Sequence, residues 1–375
     1  MHQQIIDNAL GAVGNTPLVR LDKIAAQLGL KCNLLAKLEC LNVGGSIKDR
    51  IAKAMIEAAE REGKLNKDSV IIEPTSGNTG IGIAMASAIK VKIVFFYMKQ
   101  LLNTTAKGYR CIITLPDKMS VEKEAALRAL GAEVVRTPTS AAWDSPESHI
   151  GIAKKLEKAI PGGIILDQYR NKNNPLIHEL STGPEIIEAI VSTPSTPERP
   201  SSGKVDVVIC GAGTGGTITG ISRAVKKTHN KDCIVVGVDP KGSILAVPEA
   251  LNEEDNGKAY IVEGIGYDFI PDVLVRDEVD SWVKTGDDES FAAVRSLMRN
   301  EGLLVGGSSG SALCGAEKWF ATSIGQKVGQ TEGMNVVLLL ADGIRNYMSK
   351  PWFLDMALHA EPSDLSKSIA DVLKP

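Results

Sequence analysis

Six short runs along the chain are apolar at nearly every position rather than at every second one: "SVIIEP", "RCIITLP", "AEVVRTP", "KVDVVICG", "CIVVGVDP" and "NVVLLLAD". A strand that is apolar on both faces must be covered on both faces. That is the condition of a parallel sheet with helices packed above and below it. The intervening stretches "IGIAMASAIK", "MSVEKEAALRALG", "TITGISRAVKKT" and "ESFAAVRSLMRNEG" carry the three- and four-residue apolar spacing of helices. The alternation predicts an α/β fold. The runs fall into two groups separated near residue 150, which predicts two sheets with a cleft between them. The 375 residues suffice for two domains of ordinary size.

Composition narrows the function classes. A net charge of −3 gives no basic field for nucleic acid or an anionic membrane. Aromatic residues make up only 4%, so branched aliphatics and alanine must fill the core. The six cysteines are scattered and none forms a CxxC pair, which argues against a zinc site or a disulfide framework. Buried free thiols in a reducing compartment, the cytoplasm, are expected. The start "MHQQIIDNALGAVG" lacks a basic stretch followed by an apolar block, so no secretory signal is read there. No apolar run reaches the roughly 18 residues of a membrane span.

Four stretches could carry chemistry. In "GGSIKDR", residues 44–50, two glycines and a serine lead into a helical pattern through Ile47, Ile51, Met55 and Ala58. Ser46 is placed to cap that helix with Asp49 completing a near capping box, which puts Lys48 at the second helical position. A helix N-terminus disfavours a cation, so the neutral amine of Lys48 is easier to reach, and a neutral amine is what Schiff-base chemistry needs. A solvated lysine with a packed stem is the alternative. In "EPTSGNTGIGIA", residues 73–84, Thr75, Ser76, Gly77, Asn78 and Thr79 offer hydroxyls and N–H groups at a helix start. They form either a seat for a carboxylate or phosphate or a capped turn.

In "ICGAGTGGTITG", residues 209–220, Gly211, Gly213 and Gly216 satisfy GxGxxG between a strand and a helix. Asp239, the acidic candidate for a dinucleotide ribose, comes later than the expected separation of about 20 residues. A single phosphate ester on Gly213–Thr217 fits as well, and so does a tight turn without a ligand. In "GLLVGGSSGSALCGA", residues 302–316, Ser308 and Ser309 could bond a ring nitrogen or cap the next helix. A reactive lysine, a phosphate cradle, a carboxylate seat and a hydroxyl for a ring nitrogen together specify pyridoxal 5′-phosphate.

The chain resembles the fold-type II family of pyridoxal-phosphate enzymes, in the branch of the cystathionine β-synthases and cysteine synthases. The resemblance runs from about Gly11 to about Met348. It is carried by "GNTPLVRL", "GGSIKDRI", "EPTSGNTGIG", "GYRCIITLPDKMS", "RTPTSAAWDSPESHIG", "DQYRN", "GTGGTITG", "GVDPKGSIL", "EGIGYDFIPDVL", "EGLLVGGSSGS" and "RNYM". "DQYRN" and "GIGYDFIP", with Tyr169, Tyr267 and Asp268, look like the cystathionine β-synthase branch. The resemblance implies two open, twisted, mostly parallel sheets with the cofactor between them. It implies a larger domain from residues 1–42 and 153–350, a smaller nested one from 43–152, and a tail from 351. Lys48 would hold the cofactor's aldehyde and act as base, and Asn78 would bond its 3′ oxygen. Gly213, Thr214, Gly215, Gly216 and Thr217 would hold its phosphate, and Ser308 would meet its ring nitrogen. Thr75, Ser76, Thr79 and Gln168 would bind the substrate carboxylate. Tyr169, Gly264 and Tyr267 would border the second-substrate site. The implied reaction joins serine and homocysteine into cystathionine, with hydrogen sulfide released when cysteine is the first substrate. Cysteine synthesis from O-acetylserine and sulfide, a catalytically impaired homologue, a binding protein that keeps the fold, and a dinucleotide oxidoreductase are the rivals. A cytoplasmic homodimer acting on small amino acids, with no nucleic-acid or membrane partner and no metal, is expected.

Four departures accompany the resemblance. The N-terminal haem segment and the C-terminal nucleotide-sensing modules of some members have no counterpart here, so neither haem nor activation by S-adenosylmethionine is expected. Asn230 stands at the first position of the family's occasional CxxC. Between Lys90 and Gly108 stands "VKIVFFYMKQLLNTTAK", where the family joins "AIK" to "GYRC" directly. Such connections usually take about 2–6 residues. The stretch reads either as an addition outside the evolved fold, such as a retained intron, or as a genuine extension whose apolar face packs on a neighbour.

Overall fold

The computed structural model describes residues 5–90, 108–358 and 363–373. Its strands are β1 (Leu18–Arg20), β2 (Asn33–Leu38), β3 (Val70–Pro74), β4 (Arg110–Pro116), β5 (Glu133–Thr137), β6 (Gly163–Ile165), β7 (Val207–Gly211), β8 (Ile234–Pro240), β9 (Ser281–Thr285) and β10 (Asn335–Leu340). They form two sheets, one of order β1-β2-β10-β7-β8-β9 and one of order β5-β4-β3-β6. Every pairing is parallel except that of β1 with β2. All six apolar runs are strands.

Alternate residues of the central strands supply two different cores. Val207, Ile209, Val336 and Leu338 pack on one face of the larger sheet, among Trp319, Leu313 and Leu297. Val208, Cys210, Val337 and Leu339 pack on the other, among Ile218, Ile221 and Ile186. This is the two-residue period of a strand with both sides covered, and it explains why these runs are apolar throughout.

The smaller sheet extends beyond the boundary expected at residue 153. The chain leaves β5, forms the helix His149–Ala159 and returns to the far side of β3, where β6 pairs Gly163–Ile165 with Val70–Ile72. A crossover of that kind is the only way to add a parallel neighbour, so the sheet closes with a strand that follows the boundary. "GII" is too short to announce itself as a strand.

The segment 91–107 lies outside the described residues. Its flanks meet each other. Lys90 and Tyr109 both bind Glu60, at 2.7 and 3.0 Å, and the Tyr109 N–H donates to the Ser87 carbonyl at 3.1 Å. They lie where the helix Asn78–Ile89 runs into β4, at the amino ends of the strands. Deleting residues 91–107 is expected to raise soluble yield and melting temperature with cofactor loading unchanged. A deletion variant that unfolds, or fails to load cofactor, would show the extension to be integral.

Candidate active site

The chemistry-bearing residues gather at the carboxyl ends of the parallel strands, where an open α/β sheet presents its loops. The loop Thr75–Gly77 follows β3, Gly213–Thr217 follows β7, and Asp342 follows β10.

Lys48 is the first residue of the helix Lys48–Arg61, with Ile47 at the cap. The helix thus starts one residue later than the capping-box reading placed it. Ser46 still serves the turn, since its Oγ accepts from the Lys48 N–H at 3.2 Å. Asp49 reaches back past Ser46 to the Gly44 N–H, at 2.5 Å. A Cβ at Gly44 would sit 2.5 Å from the Asp49 carboxylate, so a larger residue there would have to displace that carboxylate. Burial, chiefly, pushes the Lys48 amine below the usual lysine range; Cys210 and Asp342 oppose this and Lys123 adds to it. Two residues on, Arg50 is clamped in a buried network, with its guanidinium on Glu39 and Glu185 at 2.6–2.8 Å. Lys37 joins Glu185 at 2.7 Å. This network fixes the base of the Lys48 helix to β2 of the larger sheet.

At the end of β3, the Thr75 hydroxyl accepts from the Gly77 N–H at 3.1 Å, and Gly77 takes a φ of +117°. Asn78 opens the next helix. Its Nδ2 donates to Asp342 at 2.7 Å and its Oδ1 accepts from Asn346 at 3.1 Å. Thr79 donates to Gln168 at 2.7 Å, and Gln168 donates to the Pro74 carbonyl at 2.9 Å. Thr75, Ser76, Asn78, Thr79 and Gln168 are therefore assembled around one loop from two distant segments.

Beyond β7, the turn Gly213–Thr217 admits no side chain at its glycines. A Cβ at Gly213 would stand 2.4 Å from the Gly264 carbonyl, and one at Gly216 would stand 2.0 Å from Asn174. Gly215 has a φ of +84° and caps the helix Gly216–Thr228 without a side chain. The N–H groups of that first turn have no partner within the helix, which makes the turn an anion seat. Asn174 steadies Thr214 at 3.0 Å, and His178 contacts Thr217 at 3.2 Å. Burial holds His178 well below the usual histidine range, so its ring is neutral at physiological pH. Asp239, the candidate ribose acid, is bound to Lys284 at 2.7 Å in the interior, so it offers nothing to a dinucleotide.

Ser308 is buried in the first turn of the helix Gly307–Phe320, and beside it the Ser309 hydroxyl is enclosed with no partner. A cavity of about 300 Å³ is bounded by Ser76, Tyr169, Gly264, Tyr267, Lys118 and His149. The Tyr169 and Tyr267 rings meet edge to face at 5.4 Å with their hydroxyls 3.4 Å apart, and His149 reaches Tyr169 at 3.4 Å. Burial and Lys118 push His149 down to about 4. Sequence reading found the tyrosines and missed His149, Lys118 and Asp342. The stretches that contain them, "RTPTSAAWDSPESHIG", "GYRCIITLPDKMS" and "NVVLLLAD", are visible in the sequence, but nothing in their spacing announces a side chain aimed into the cleft.

A family model described as "Pyridoxal-phosphate dependent enzyme" matches residues 9–100 and 102–342, and the chain belongs to that family. Within it, the chain is similar to cystathionine β-synthases. It is 52% identical to that of Rattus norvegicus over 347 residues, covering 92% of this chain and 55% of the relative. It is 52% identical to that of Dictyostelium discoideum over 355 residues, covering 94% and 63%. The chain thus spans little more than half the length of these curated relatives. Among solved structures, a hydrogen sulfide-producing enzyme from Fusobacterium nucleatum matches with a TM-score of 0.75 and 32% identity, over 92% of this chain and all of that one. A mutant O-ureido-L-serine synthase bound to O-ureido-L-serine matches with a TM-score of 0.78 and 26% identity, over 99% of both chains. The cofactor is pyridoxal phosphate. The glycine-rich cradle at a helix start, the Lys48 amine and the buried Ser308–Ser309 pair fit that group.

Proposed function

We propose that the chain exchanges the β-substituent of an amino acid, joining L-serine and L-homocysteine into cystathionine, and that L-cysteine as first substrate releases hydrogen sulfide. The observation that carries this reading is the Tyr169–Tyr267 cavity beside the Thr75–Thr79 seat. It leaves room for a second amino acid next to the first. The similarity to cystathionine β-synthases and to a hydrogen sulfide-producing enzyme supports it.

In this reading Lys48 holds the cofactor's aldehyde. The Gly213, Thr214, Gly215, Gly216 and Thr217 turn grips its phosphate, Asn78 faces its 3′ oxygen, and Ser308 meets its ring nitrogen. Bound, the cofactor supplies an aldehyde for the amino group and a ring that draws electrons from Cα. Thr75, Ser76, Thr79 and Gln168 orient the substrate carboxylate. Once the substrate amino group had replaced it at the aldehyde, the freed Lys48 Nζ, its basicity lowered by burial, would take the Cα proton and deliver a proton to the departing hydroxyl. Tyr169, Gly264 and Tyr267 shape the site in which the acceptor thiol approaches Cβ. A neutral serine at the ring nitrogen restrains electron withdrawal, which favours loss of the β-group over deeper rearrangement.

The test is a spectrum of purified protein followed by serine and then homocysteine. A visible band that shifts with serine and returns with homocysteine, with cystathionine formed, is expected. If O-acetylserine and sulfide react far better than serine and homocysteine, the cysteine synthase reading replaces this one. Ser308→Ala is expected to lower turnover about tenfold with cofactor content nearly intact, because one hydrogen bond contributes only about 1 kcal/mol to binding. Cofactor loss with turnover per bound cofactor unchanged would overturn the Ser308 role.

A homodimer in the cytoplasm completes the proposal. Leu176 and Leu180, 39% and 66% exposed, line one surface hollow and suit a subunit contact. Sedimentation showing a monomer at micromolar concentration would reject it.

A further inference from the structure

A lysine and a glutamate from opposite sides of the cleft are paired in the interior. Lys123 lies on the helix Val121–Ala129, beside the smaller sheet, and is fully buried. Its ammonium stands 2.5 Å from Glu263, which is 6% exposed, and Lys350 holds the other Glu263 oxygen at 2.7 Å. The Lys123 stem fills the space that a Cβ at Gly77 would need, its Cδ standing 2.5 Å from that point. It therefore supports the loop that carries Thr75, Ser76 and Asn78. Its head also lies over the Tyr347 ring, 4.6 Å from the centroid, and the Tyr347 hydroxyl donates to Asp342, the partner of Asn78. Glu263 immediately precedes Gly264, whose carbonyl abuts Gly213, and the Gly266 N–H is tied to the Ala212 carbonyl at 2.8 Å.

We propose that Lys123 and Glu263 are positioning residues that register the carboxylate loop 75–79 against the acceptor loop 264–267, so that filling the first-substrate seat orders the second. The ion pair reaches both loops, directly at Gly77 and through the adjacent peptide at Gly264, and it lies beneath the direct side-chain hydrogen bond between Ser76 and Tyr267. Neither residue touches a reacting atom in this arrangement. The inference rests on the proposed assignment of the two loops to the two substrates.

The experiment uses the cofactor-loaded enzyme and the variants Lys123→Met, Glu263→Gln, the double variant and Lys123→Arg. Amide hydrogen exchange of residues 258–268 is measured with and without serine, and homocysteine KM and kcat are measured beside it. Serine is expected to slow exchange of that loop in the native enzyme and in Lys123→Arg, and to leave it unchanged in the other variants. Homocysteine KM is expected to rise by about tenfold or more in each single variant, as when one partner of a buried pair is left uncompensated. The double variant should be no worse than the worse single one. Additive losses, or serine-dependent protection that survives in Lys123→Met, overturn the proposal. A lower melting temperature with KM and exchange unmoved overturns it as well, because the pair is then merely structural. Should the native enzyme bind serine yet accept no homocysteine, the proposed reaction fails, while the exchange measurement still decides the coupling.

Discussion

Replacing Lys48 by alanine is expected to lower turnover by about a thousandfold or more, a barrier increase of roughly 4 kcal/mol. The variant loses the amine that holds the cofactor and the proton carrier at Cα together. Its structure should survive, because the Lys48 helix is anchored elsewhere. Arg50 is fastened to Glu39 and Glu185, and Asp49 to Gly44. Circular dichroism and melting temperature should stay near native while the visible band moves to that of unlinked cofactor. Turnover within about tenfold of native, a barrier change near 1.4 kcal/mol, would remove Lys48 from the chemistry.

Gly213→Ala is expected to weaken cofactor binding by about 10–100-fold, the effect of roughly 1–3 kcal/mol of overpacking. The new methyl would stand 2.4 Å from the Gly264 carbonyl oxygen, a backbone atom that cannot swing aside as a side chain does. The phosphate turn and the acceptor loop must then part. Loss of affinity should therefore come with a raised acceptor KM. Titration of apoenzyme with pyridoxal phosphate checks the first effect and steady-state kinetics the second. Native affinity in this variant would mean that the turn is not the phosphate seat.

What the sequence made legible was local. Runs apolar at every position became the buried strands, because parallel pairing hides both faces. The glycine-rich turns became helix starts, because glycine alone tolerates their backbone and their neighbours. What stayed hidden had charge in unexpected places or partners far away in the chain. Strand β2 contains Lys37 and β9 contains Lys284, which make them read as surface segments. In the fold these lysines are 1% and 10% exposed and neutralised by Glu185 and Asp239 at 2.7 Å. Lys123 and Glu263 stand 140 positions apart, and no spacing rule reaches that far. The order of β6 was equally out of reach, since a three-residue strand takes its place from the crossover before it rather than from its own residues.

The two sheets are joined by main chain only between β2 and β3 and between β6 and β7. Lys48 lies on the first of these passages, and Gln168 and Tyr169 lie on the second. The connectors are thus walls of the reaction chamber itself. Any rocking of one sheet against the other must be absorbed in backbone that also aims the amine, the amide and the phenol. In mechanical terms the passages that would have to flex, residues 39–69 and 166–206, also carry parts of the jaws. Substitutions that stiffen or loosen these connectors will register in turnover before they register in unfolding.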